Sequence, residues 1–407
     1  MNNTANSGRR VLVVGLGISG AATALRLHRA GWTPVVIEKA PTRRSGGYFV
    51  GLFGAGKPAA RRLGLLDRMA DRAPRNGVNF DIDRAGNRRR GLSFLDLPGR
   101  PWLMLRGDVE QAAFSALPPD VDVRYSTVPT RIEQDADGVD VTLTNTVDGT
   151  AVTERFDLVV GADGLRSTVR SLVFGPHERY LHRLNYMIAA FELPGSLSDL
   201  APGDGAVLVE PDRSLWIFPF ADHDPTALIS YRTDDVDAEF TEPPATRVRR
   251  AFGPQPLGRT LTEVVNALEA ADEALFDSVE QVRMDTWHRG RVVLVGDSAW
   301  CVTLYAGMGV SAGLAGADLL GTVLERHPDD LARALSEWER RLRPYMEFYQ
   351  LNGIQQRTFF TPATRPQILL RKVITRLRQW PLPARLLQQM QVNSKASRMK
   401  EADIARA

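Results

Sequence analysis

Val11-Leu12-Val13-Val14-Gly15-Leu16-Gly17-Ile18-Ser19-Gly20 is the stretch whose reading decides the fold. Four consecutive apolar residues are the mark of a short strand buried on both faces. The helix-forming run Ala21 to Ala30 follows and is closed by Gly31. Pro34-Val35-Val36-Ile37 is a second apolar strand, ended by Glu38 with Lys39 beside it. Strand, helix and strand make one crossover unit, whose right-handedness places the two strands side by side and parallel. Within it Gly15 permits a tight turn, Gly17 lets backbone approach a pyrophosphate, and Gly20 lets helix lie close on strand. The Ile18 and Ser19 amides then open the helix towards the phosphates. Glu38 stands 23 residues after Gly15, near the spacing of about 20 for an acid on ribose hydroxyls.

This motif alone leaves NAD and FAD both open. Outward from it, Phe156 to Val160 and Val292 to Val295 are further short apolar runs ending in glycine, at Gly161 and Gly296. They read as distant strands of the same sheet, delivering Asp163 and Asp297 to its carboxyl end, where open α/β sheets bind ligands. Asp297 is suited to accept hydrogen bonds from sugar or ribityl hydroxyls, and both aspartates are equally suited to turn formation and helix capping. Gly307-Met308-Gly309-Val310 permits another helix start, where developing negative charge is stabilised. Ser298 to Ala317 is uncharged, but its four glycines mark a loop and buried helix rather than a membrane span.

Between these pieces the texture changes. Asn79 to Phe94 reads as a hairpin turning at Arg84 to Asn87. The runs 185–191, 206–210, 215–220 and 227–232 are strand-like and broken by Pro, Gly and Asp. Helices are expected over 319–326 and 330–350. A basic amphipathic end follows from Gln367 to Gln391, with Ile368, Leu369, Val373, Ile374, Leu377 and Leu386 expected to pack on the body while the arginines stay in water.

Composition bounds the rest. The 407 residues suggest two to three domains at about 150 each. Hydrophobic residues at 43% and charged residues at 24% exclude wholesale disorder. A solitary cysteine, Cys301, excludes a disulfide scaffold and a Cys-based metal site, and fits a reducing cytoplasm. The net charge of +3 gives no sign of nucleic-acid binding, but it is uneven: Arg365 to Ala407 holds ten Lys/Arg against Glu401 and Asp403. The six histidines lie scattered without partner spacing, so no catalytic residue and no metal ligand is assigned.

In four ordered blocks the chain resembles the group A flavin-dependent monooxygenases, the para-hydroxybenzoate hydroxylase-like family. The blocks are Gly15 to Gly20 with Glu38; Arg106 in Leu105-Arg-Gly-Asp-Val109; Asp163-Gly164; and Gly296-Asp297 through Gly309. The resemblance implies FAD as cofactor. Arg106 would contact it, Glu38 would hold its adenosine ribose, Asp297 would meet its ribityl and pyrophosphate portion, and Gly307 to Val310 would lie along its ring. Asp163 would serve both FAD and transient NAD(P)H. The implied cycle reduces FAD with NAD(P)H, adds O2 at C4a, and transfers oxygen from the hydroperoxide to a small-molecule substrate.

The expected architecture is therefore α/β. A Rossmann-like FAD-binding domain (1–75, 100–178, 275–340) carries an inserted β-rich substrate domain (76–99, 179–274) and a helical C-terminal region (341–407). Tyr48, Phe49, Phe53, Trp216, Phe218 and Tyr305 are candidates for the substrate wall. A monomer or weak dimer without membrane or nucleic-acid partners is expected. Two departures from the family pattern stand near the flavin's reactive edge: Trp300 in place of a histidine and Leu304 in place of a proline. They keep a second expectation open, an FAD-containing cyclase of natural-product biosynthesis in which flavin shapes the pocket without turning over.

Overall fold

Val11, Leu12 and Val13 have no exposed surface, because their strand lies inside a sheet covered on both faces. In the computed structural model, which describes residues 8–43, 47–92, 100–195, 197–378 and 394–406, strand Arg10–Val14 pairs in parallel with Leu158–Gly161 and Thr33–Ile37. Val292–Leu294 and Asp122–Arg124 extend the parallel sheet, and His288–Arg289 adds an antiparallel edge. Both distant apolar runs thus return to it as the sequence predicts. The first helix is Ile18–Arg29, starting three residues before the predicted run, and it packs against the buried helix Gly309–Arg326.

A second sheet has seven strands, in the order Leu275–Val282, Leu181–Glu192, Thr226–Arg232, Arg213–Phe218, Gly205–Glu210, Asn79–Ile82 and Arg88–Arg90. The predicted hairpin is present, its turn closed by the Asp83 carboxylate accepting from the Ala85 and Asn87 amides. Alternation decides which side chains meet the site. Leu215 and Ile217 join a core under helices Pro244–Ala251 and Arg259–Ala270, whereas Trp216 and Phe218 face the opposite way. Leu275–Val282, placed with the flavin-binding part on sequence, is hydrogen-bonded to Leu181–Glu192 in this sheet instead. A three-stranded antiparallel sheet, Thr127–Gln134, Val139–Asn145 and Ala151–Phe156, went unread.

The C-terminal region departs most from expectation. Helix Leu331–Phe360 runs through Pro344 and extends ten residues beyond the predicted end. Helix Arg365–Arg378 only partly follows its amphipathic reading: Ile368 and Ile374 are half-buried and Ile374 reaches the cavity, but Leu369, Leu370, Val373 and Leu377 are exposed and Arg371 is buried. Arg371 has its own partners. Its guanidinium is 2.9 Å from the Asp81 carboxylate and lies over the rings of Trp216 and Phe359. Residues 379–393, including Leu386, lie outside the described residues. The closing segment is fixed to the body by Arg62, which grips Asp403 with two hydrogen bonds of 2.7 and 2.8 Å, and by Ile404 in the main core. Among the described residues, no helix is long and apolar enough to cross a membrane.

Candidate functional site

The glycine turn separates into packing glycines and a ligand-facing one. Gly15 has φ +101°, and a Cβ there would sit 2.6 Å from the Ala162 carbonyl oxygen. A Cβ on Gly20 would meet the Gly15 oxygen at 1.9 Å. At Gly17 the nearest atom, Glu110 Oε1, would be an ordinary 3.6 Å away, so protein packing does not demand this glycine. Gly309, at the start of the buried helix, would meet nothing within 4 Å. Neither helix start has a side-chain cap, leaving first-turn amides free for an anionic ligand. Glu38 accepts from the Leu16 and Ala40 amides at 2.9 Å each, which fixes the carboxylate at the strand end while leaving it further lone pairs.

Between the two sheets lies a cavity of about 830 Å³. Gly17, Ile18, Ser19, Arg106, Asp297, Gly307, Gly309 and Val310 form one wall. Arg106 is paired with Glu110 at 2.7 Å and its positive field acts on Asp297. Asp297 is exposed, and the surface it opens onto is the cavity. The protein packed around this cavity wall desolvates the carboxyl and raises its pKa, and Arg106 partly opposes that rise. These features fit FAD: free amides and Arg106 for a pyrophosphate, carboxylates at two places for sugar hydroxyls, and room at Gly17 and Gly309.

All six aromatic candidates, Tyr48, Phe49, Phe53, Trp216, Phe218 and Tyr305, line the cavity. Phe49 and Phe218 stack at 4.0 Å, and Trp216 lies 6.3 Å from Phe218 in a nearly parallel plane. Tyr305 is held by a 2.7 Å hydrogen bond between its hydroxyl and that of Ser230.

Other predicted residues stand off the cavity. Gly15, Gly20, Glu38, Lys39, Asp163, Gly296 and Met308 are not on its wall. Glu38 and the exposed Lys39 follow the strand Thr33–Ile37, Met308 is in the core, and Gly296 (φ +69°) makes the turn into Asp297. Asp163 is occupied in holding that turn's surroundings: it accepts from the Val169 amide at 3.1 Å and the Ser298 hydroxyl at 3.2 Å. Trp300 points away as well, into a cluster with Trp287 and Trp338 at 4.9 and 5.6 Å, so the core absorbs this departure. Leu304 does line the cavity, following Thr303, whose φ of +70° is unusual for a β-branched residue.

Sequence reasoning missed several wall residues. Glu280 is buried on strand Leu275–Val282; one oxygen accepts from Ser278 and the other has no hydrogen-bond partner among the described residues. Asn352 and Thr303 likewise carry buried oxygens with no hydrogen-bond partner among the described residues. The closing segment contributes Ser397, Lys400 and Glu401. Arg170, fully buried, donates to the Ser298 carbonyl at 2.9 Å and so braces the turn after Asp297. Only the alternation in Leu275 to Val282 could have pointed to Glu280. Cys301 is on the wall too, with burial and Asp297 pushing its thiol well above the ordinary value. A bulky aromatic disulfide at pH 8 is therefore expected to leave the native thiol unmodified and to label it fully in denaturant; rapid native labelling contradicts this placement.

A carboxylate fixed at the end of the second strand, two uncapped helix starts and an aromatic cavity beside them fit a flavoprotein. The model of the family described as FAD binding domain matches residues 9–333. The chain belongs to that family, within the para-hydroxybenzoate hydroxylase-like, group A flavin-dependent monooxygenases. It is 28% identical over 358 residues to a flavin-dependent monooxygenase from an unknown prokaryotic organism, covering 85% of this chain and 88% of that one. It is 30% identical over 361 residues to an uncharacterized protein of Mycobacterium tuberculosis, covering 83% and 91%. The crystal structure of tetracycline destructase Tet(51) shares the fold, with TM-score 0.77 and 24% identity over 94% of this chain and 96% of that chain.

Proposed function

We propose that the protein hydroxylates or epoxidises a polycyclic or aromatic small molecule of secondary metabolism, using NAD(P)H as transient reductant and O2 as oxygen source. The observation that carries this reading is the cavity of about 830 Å³, aromatic on one wall and bounded on the other by Asp297, Arg106 and the Gly309 helix start. FAD, when bound, supplies electron transfer to O2 and activation of oxygen for transfer. Arg106 and the free amides at Ile18 and Ser19 hold its anionic part, and Asp297 accepts from its hydroxyls. The Gly309 helix start stabilises negative charge at the cavity. The Phe49–Phe218–Trp216 wall orients a flat substrate by stacking, and Phe359, Phe360 and the closing segment exclude water.

The test is NAD(P)H oxidation and O2 uptake by the yellow holoprotein, with and without a panel of polycyclic phenols. Stimulation of both by at least one substrate is expected, with a rise of about tenfold or more over the substrate-free rate. Conversion of a substrate with no reductant present would replace this reading with the cyclase.

A further inference from the structure

Lys400 is one of only five lysines in the chain, and it reaches the cavity from the closing helix Lys395–Glu401. Its place is fixed from three sides. The Ala55 amide donates to its carbonyl at 2.8 Å, the Tyr349 hydroxyl donates to the preceding Met399 carbonyl at 2.8 Å, and Arg62 holds Asp403 just beyond. The ammonium donates to the Ala306 carbonyl at 3.2 Å and sits 5.3 Å from the centre of the Phe53 ring. Ala306 immediately precedes the Gly307–Gly309 turn of the cofactor wall.

The described residues give this ammonium no carboxylate partner. Glu401, on the same helix, is under the field of Lys57 and packs against Gly54; Asp403 is paired with Arg62. Tyr349 is kept neutral by burial, and the cations Lys57 and Arg62 are engaged with Glu401 and Asp403. An ammonium has three donors, and one is spent on Ala306. Burial alone lowers its pKa to about 8, so it is still charged at neutral pH. A desolvated, unpaired cation on a cavity wall is costly unless a ligand anion completes it.

We propose that Lys400 is a second anion-binding group of the cavity, separate from Arg106 on the cofactor wall, receiving the ionised oxygen of a phenolate, enolate or carboxylate beside the Ala306–Gly307 turn. The inference deepens the proposed function and rests on it only in calling that anion the substrate. It makes Lys400 a residue that selects acidic aromatic molecules over neutral ones of the same shape.

The probes are 2-naphthoate and its neutral counterpart 2-naphthamide, whose dissociation constants for the FAD-loaded protein are measured by equilibrium dialysis. At pH 7 naphthoate is expected to bind about tenfold more tightly than naphthamide. That preference falls as pH rises through about 8, because the ammonium loses its proton there. Lys400→Met should equalise the two probes while leaving naphthamide affinity and FAD content unchanged. Lys400→Arg should keep the preference and abolish its decline above pH 8, which tests the inference even where the methionine variant fails to fold. No preference in the unmodified protein, including no binding of either probe, overturns the proposal, as does a preference that survives in Lys400→Met. A naphthoate preference in a protein that oxidises no NAD(P)H upholds the anion site and defeats only the monooxygenase reading.

Discussion

Gly20→Ala is expected to destabilise the apoprotein by about 3 kcal/mol or more, whereas Gly17→Ala stays within about 1 kcal/mol of the parent. The added methyl at position 20 would sit 1.9 Å from the Gly15 oxygen and 2.9 Å from its carbonyl carbon, both backbone atoms. Gly15 cannot yield easily, since it lies at φ +101° and is itself close against Ala162. Relief requires the first helix to lift from the central strand, opening the most buried part of the core. Alanine's better helix propensity recovers only about 1 kcal/mol. At Gly17 the methyl meets ordinary contacts of 3.6 and 3.9 Å and occupies space left for a ligand. Gly17→Ala should therefore lose about tenfold in FAD affinity with little change in apoprotein unfolding. Thermal unfolding of the apoproteins, together with flavin content after reconstitution, separates the two. Equal destabilisation by both variants would contradict the division into packing and ligand-facing glycines.

Arg62→Ala is expected to cost about 3 kcal/mol at pH 8, because it leaves a buried carboxylate short of its main partner. Asp318 is 1% exposed and receives a 2.7 Å hydrogen bond from Arg62; Arg26 remains only at 3.7 Å. The same change frees Asp403 and loosens the segment that carries Lys400. Burial raises the Asp318 pKa, and Arg62 opposes that rise. Removing Arg62 therefore raises it further, so the folded variant takes up a proton more readily than the unfolded chain does. Its stability must then improve as pH falls through that raised pKa and worsen as pH rises. Urea unfolding at pH 5.5 and pH 8 should show a smaller deficit at the lower pH, with Arg62→Ala/Asp318→Asn recovering part of the loss at pH 8. A deficit that is constant or larger at pH 5.5 would refute this role for Asp318.

The features legible in the sequence are those set by local sterics and period. The run Val11 to Gly20 specifies strand, turn and helix because each residue's requirement is met by its near neighbours and the adjoining strand. Trp216 and Phe218 were readable as wall candidates from their aromatic bulk on a strand, and alternation sets both on one face, opposite Leu215 and Ile217. The orientation of helix Arg365–Arg378 was not readable in this way. Its apolar stripe predicts packing on the body, but a pair with Asp81, 290 residues away, and two aromatic rings hold Arg371 inside instead. Glu280 and Lys400 escaped for a related reason: their significance depends on which distant segments close the cavity. Trp300 shows the converse, a departure from the family pattern that lost its apparent importance once Trp287 and Trp338 were seen around it.

The most direct measurement is mass spectrometry of the product formed by the FAD-loaded protein from a polycyclic phenol under isotopically labelled O2 with NAD(P)H. The expected product carries one labelled oxygen atom and forms only when both reductant and O2 are supplied. A product of unchanged oxygen content, formed equally well without O2 and NAD(P)H, would contradict the monooxygenase reading.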